Sequence, residues 1–230
     1  MNIINRRFDL DIENLKQNLL SLLTEVKKEH EDALVAMENS DYDFSKKIIQ
    51  TDKEIRNIAE SLTITAVWNI AQQNPFARDL RTIIGYINII RDLERISNYA
   101  KNISVFNVKY RPETKLTSQL AGLMKKTFTM MDLIAQAIDT NDIKKAYEAA
   151  EFDAYIDVHF RESINNIVSM FKKNKNEEQF SQYTSAMQQL KYIERLGDHL
   201  VNICETIVYI IKGKFYDLST TLYVPPVKKG

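Results

Sequence analysis

Glu194-Arg195-Leu196-Gly197-Asp198-His199 repeats the pattern of Glu94-Arg95-Ile96-Ser97-Asn98-Tyr99, one hundred residues earlier. That correspondence makes the chain a duplication. Residues four apart share one face of a helix, so Glu194 and Asp198 stand side by side with Asn202 a turn further along. Like charges at that spacing repel, and a helix that keeps them needs either open solvent or a cation between them.

Around this pair the sequence reads as helix throughout. Only five Gly and four Pro occur in 230 residues, which favours long uninterrupted elements, and Leu, Ile, Lys, Glu and Asn recur at helical spacing. The expected class is all-α. The apolar period predicts helices over about 8–37, 42–73, 75–105, 116–138, 143–171 and 177–211. At Asn74-Pro75 one helix stops and the next starts, with Asn74 as its expected cap and Pro75 in its first turn. Tyr110 to Glu113 is the expected linker, because a residue before proline is pushed out of helical geometry. The turn Asp139 to Asp142 matches Glu38 to Asp41 at an offset of 101 residues.

Long helices joined by short turns pack antiparallel, so the reading is two tandem three-helix bundles, six long helices related by internal pseudo-twofold duplication, each about 45 Å long. Their expected extents are 1–110 and 111–213, followed by a tail over 214–230, either mobile or a strap for a partner.

Composition excludes several classes of function. Thirty-one basic residues balance thirty-one acidic ones, so there is no cationic excess to attract nucleic acid. The single cysteine, Cys204, has no internal disulfide partner, and the N-terminus lacks the apolar run of a signal peptide. The most apolar segment, Leu200 to Ile211, spans twelve residues and includes Asn202 and Glu205, short of the ~20 needed to cross a membrane. A cytoplasmic location is expected.

The fifth helix carries a second carboxylate pair, Asp153 and Asp157. Counted from the turn near Lys175, this pair and Glu194 with Asp198 lie at matching height, so four carboxylates can converge. Their oxygen ligands suit hard cations: Mg²⁺, Mn²⁺, Ca²⁺ or ferric iron, with Zn²⁺ accepted. The alternative is a solvated face paired with Lys191, Arg195 and Arg161. In the first half the corresponding positions are Asp52, Arg56, Glu94 and Asn98, where a guanidinium supplies internally the positive charge that a metal would supply in the second. His30, His159 and His199 have Lys27, Ile156 and Leu196 three residues before them, which excludes the Glu-x-x-His pattern of di-iron bundles. His199 reads as a packing or hydrogen-bonding residue and Cys204 as core. No phosphate-binding or dinucleotide loop and no nucleophile elbow is present, and nothing argues for catalysis.

The segments Gln72-Gln73-Asn74-Pro75-Phe76-Ala77-Arg78-Asp79-Leu80-Arg81, Asp92-Leu93-Glu94-Arg95-Ile96 and Tyr192 to Ile203, with Tyr209 and Gly213, together resemble the PhoU family over nearly the whole chain. This resemblance implies a non-enzymatic, cytoplasmic negative regulator of phosphate uptake. It also implies association with the ATPase of a phosphate ABC transporter and with a phosphate-sensing histidine kinase, so that the chain is peripheral to the membrane through its partners and open to homodimer formation. It further implies metal binding, by iron, zinc, manganese or magnesium, at Asp153, Asp157, Glu194 and Asp198, and more weakly at Asp52 and Glu94. In the first half the family's usual Gly-Asp is Ser97-Asn98, a departure that weakens the copy. Two other readings of the carboxylates are a metal-dependent hydrolase or a metal store, and a third is an accessory of another phosphate carrier.

Overall fold

The computed structural model describes residues 3–173 and 177–219. It contains six helices among those residues: α1 (Ile3–Glu38), α2 (Tyr42–Gln73), α3 (Ala77–Tyr110), α4 (Thr114–Thr140), α5 (Ile143–Lys173) and α6 (Glu177–Lys212). The all-α, six-helix reading of the duplication holds. The cores do not stay separate, because buried side chains from all six helices form one continuous apolar cluster.

Each half is a set of three mutually packed helices, and the halves join along α1 with α4 and α3 with α6. Both seams are antiparallel. Along the first, Lys27 pairs with Asp132 at 2.6 Å and Glu38 with Lys125 at 2.8 Å. Along the second, Arg81 Nε donates to the Ile210 carbonyl at 3.0 Å, Asp92 meets His199, and Tyr99 stacks on Tyr192 at 5.5 Å. Each step forward on α3 is thus a step back on α6. With copies one hundred residues apart, each helix meets its own counterpart between residues 95 and 96 and between 195 and 196, within the duplicated Glu-Arg motifs.

The turns carry their own chemistry. Asp41 accepts from the Phe44 amide at 2.9 Å and caps α2, and Asp142 accepts from the Lys144 amide at 2.9 Å at the equivalent corner. Asn74 corrects the sequence reading. It closes α2, with φ 47° and its amide on the Ile70 carbonyl, and α3 begins at Ala77 after an extended Phe76. Asn occupies the left-handed region at low cost and serves as a helix C-terminal cap as readily as an N-terminal one.

Gly213, at φ 72°, ends α6 and turns the chain back. Phe215 then stacks on Tyr209 at 4.2 Å, Leu218 is buried, and its amide donates to Glu205 Oε1 at 2.8 Å. The tail as far as Ser219 is therefore packed on α6. The rest of the expected 214–230 segment lies outside the described residues.

Candidate functional site

The four second-half carboxylates come together where α5 crosses α6. Asp153 reaches α6 at Gly197, where a Cβ would lie 2.8 Å from Asp153 Oδ1. Any larger residue at 197 would push that carboxylate away, so the glycine is what admits it to the seam. Asp153 Oδ1 and Glu194 Oε2 are both buried without a hydrogen-bond partner. Burial, followed by the charges of Asp157, Asp198 and Glu194, pushes the Asp153 carboxyl up to about 7. Burial and Glu194 likewise raise Asp198, against a smaller opposing effect of Lys191.

The surface-pairing alternative accounts for only part of this cluster. Lys191 Nζ contacts Glu194 Oε1 at 2.5 Å, and Arg161 stands 3.9 Å from Asp157 Oδ2. Neither cation reaches the Glu194 oxygen or the Asp153 oxygen that lack partners. Among the described residues no group of three or more His, Cys, Asp or Glu side chains is placed to hold a metal ion. What the structure does leave is two buried carboxylate oxygens without protein partners in a field of like charge, a charge that a hard cation would neutralise.

The first-half copy is compensated from within. Arg56 Nη2 donates to Asn98 Oδ1 at 3.4 Å and Arg56 Nε stands 4.0 Å from Glu94 Oε1, while Asn98 Nδ2 donates to the Glu94 carbonyl at 2.8 Å. Ser97, in the place of Gly197, donates to the same carbonyl at 2.9 Å. Glu94 is thus placed beside a guanidinium rather than a second acid. The side chain of Asp52 lies outside the described residues.

His199 Nδ1 donates to Asp92 Oδ1 at 3.0 Å across the two halves, the hydrogen-bonding role read for it, and Cys204 is fully buried. Asp92 was not singled out from the sequence. Only the antiparallel register of α3 on α6 brings it opposite His199. The acidic cluster opens through Asp153 and Asp198 into a cavity of about 910 Å³ between α3, α6 and the folded-back tail.

The PhoU domain family matches residues 19–105 and 120–207, one copy in each half. The chain is 27% identical over 215 residues to a phosphate-specific transport system accessory protein PhoU homolog of Clostridium acetobutylicum, covering 92% of this chain and 97% of that one. It is 26% identical to the phosphate-specific transport system accessory protein PhoU of Escherichia coli, covering 92% and 88%. The crystal structure of the phosphate transport system regulatory protein PhoU from Streptococcus pneumoniae superimposes with a TM-score of 0.84 at 25% identity, over 91% of this chain and 99% of that one. PhoU from Pseudomonas aeruginosa shares the fold, with a TM-score of 0.84 at 22% identity, over 90% and 100%.

Proposed function

Because the chain belongs to the PhoU family, we propose that it regulates phosphate uptake as a cytoplasmic adaptor, docking on the ATPase of a phosphate ABC transporter and on a phosphate-sensing kinase. At the coarser level it is a phosphate transport accessory and regulatory protein and not an enzyme. No helix among the described residues is long and apolar enough to cross a membrane. The outer face of α2 supports such docking, with Ile64, Val67 and Trp68 exposed one turn apart.

The second part of the proposal is a metal on the second-half acidic face, held by Asp153, Asp157, Glu194 and Asp198. When bound, such an ion supplies positive charge that pins α5 to α6. One observation carries this reading: Asp153 Oδ1 and Glu194 Oε2 are buried without partners, whereas Arg56 stands beside Glu94 in the other half. Glu94 and Asp52 are accordingly assigned at most an auxiliary role. Each half, roughly 1–110 and 111–213, acts as one structural repeat, so the duplicated fold carries two differently charged faces.

The decisive measurement is capture of native partners by the tagged chain from cells grown at high and low phosphate, with metal content determined on protein purified without chelator. Transporter ATPase should be recovered, and an Asp153→Ala/Asp198→Ala variant should carry less metal. Failure to recover any phosphate-transport component would overturn the adaptor reading, and equal metal content in the two proteins would overturn the metal assignment.

A further inference from the structure

The pseudo-twofold seam holds a second feature, which shares Asp198 with the acidic cluster. Because α3 and α6 cross at their duplicated motifs, Arg95 and Arg195 arrive at one cleft of about 580 Å³, lined also by Asn98, Tyr99, Asp198 and His199. Both guanidinium groups bear electrostatically on the Tyr99 side chain, so they face the same concavity. Both arginines are exposed, and neither makes an ion pair or a side-chain hydrogen bond among the described residues. Two unpaired like charges brought together by the symmetry of a fold repel each other unless an anion lies between them. Planar guanidinium forks are matched to oxyanions with two acceptor oxygens.

We propose that the cleft between Arg95 and Arg195 binds a tetrahedral oxyanion, inorganic phosphate, shared between the two halves at their pseudo-axis. The choice of phosphate rests on the regulatory role proposed above; the anion site itself rests on the cleft. Asp198 adds selectivity. A carboxylate accepts a hydrogen bond from the remaining O–H of hydrogen phosphate and repels sulfate, which has no proton to offer at neutral pH. Because Asp198 also belongs to the acidic cluster, the bound anion sits beside the proposed metal face, and the two sites meet on α6.

The test titrates inorganic phosphate into the full chain, both chelator-treated and metal-loaded, at low ionic strength, by calorimetry. Sulfate and O-phosphoserine serve as competing ligands. Saturable phosphate binding is expected in the chelator-treated protein, at least tenfold tighter than sulfate. Arg95→Gln and Arg195→Gln should each weaken it about tenfold and the double variant should abolish it, with circular dichroism and melting temperature retained because both side chains are exposed. Binding that survives in the double variant, or that occurs only with metal loaded and ignores both arginines, would overturn the site. O-phosphoserine binding more tightly than phosphate would overturn the free ion as occupant. Partner capture lost while phosphate binding persists would remove the adaptor reading and leave this site standing; the reverse would remove this site alone.

Discussion

At the scale of single residues, Asp153 is the carboxylate held furthest from its ordinary state among the described residues. Its carboxyl is raised from 3.8 to about 7 by burial and by three neighbouring acids. The direction of the linkage follows. A raised acid burdens the fold when ionised, fully above pH 7, less as the pH falls toward 4, and not at all below its unfolded value. Metal-free protein should therefore gain stability between pH 8 and pH 5. Asp153→Asn should lack that gain and be more stable than the parent at pH 8 by about 1–2 kcal/mol, an allowance for solvent screening included. Denaturant titrations in chelator at pH 8 and pH 5.5 measure both effects, and a less stable variant at pH 8 would contradict them. Metal affinity should fall as the pH drops below 7, since the proton competes for the same oxygen. Gly197 acts on the same atom by shape alone. Gly197→Ala places a Cβ 2.8 Å from Asp153 Oδ1, and the expected outcome is metal affinity reduced tenfold or more with helix content unchanged, read by metal titration and circular dichroism.

At the scale of elements, the halves differ in how their helix pairs are held. In α5 and α6 the contact is acidic and incomplete, whereas α2 and α3 are joined by Arg56 to Glu94 and Asn98. The corner between α1 and α2 is held by a buried amide. Asn107 Nδ2, on α3, donates to the Ala36 carbonyl at 3.2 Å and to Ser45 Oγ at 2.9 Å. Both hydrogen bonds are enclosed, Asn107 being 1% and Ser45 0% exposed, so water cannot replace them. Asn107→Ala should cost about 1–3 kcal/mol, measured by chemical denaturation. A loss below a few tenths would show that the corner is held by packing alone. These elements were legible in the sequence because an apolar period of 3.6 is a local property, and the carboxylate quartet was legible because two i, i+4 pairs could be placed at equal height by counting from a turn. Asn74 was read on the wrong helix because its cap chemistry is compatible with either end.

At the scale of the whole molecule, the two repeats are fused by two antiparallel seams, and a tail returns to pack on α6. Leu218 is 4% exposed, and its amide is held by Glu205. Deleting residues 214–230 should lower stability by about 1–3 kcal/mol, the worth of one buried leucine and its neighbouring hydrogen bond. Leu218→Ala should reproduce most of the loss. A thermal melt of both variants decides the matter, and an unchanged melting temperature would mean that the tail packs without contributing. The same deletion would open the 910 Å³ cavity, since Phe215, Tyr216, Asp217 and Ser219 form one of its walls.

The sequence by itself determined the helix count, the duplication, the acidic quartet, the compensated first-half copy and the family resemblance. All of these depend on spacing along one chain, which backbone hydrogen bonds convert into faces of a helix. Only the tertiary structure decided how far α3 slides along α6. That register is set by side chains interlocking about one hundred residues apart, and no local period encodes it. It brings Asp92 to His199, gathers Arg95 and Arg195 into one cleft, and makes the Glu194 motif, first legible as a pair of repelling acids, the point where the two halves of the molecule cross.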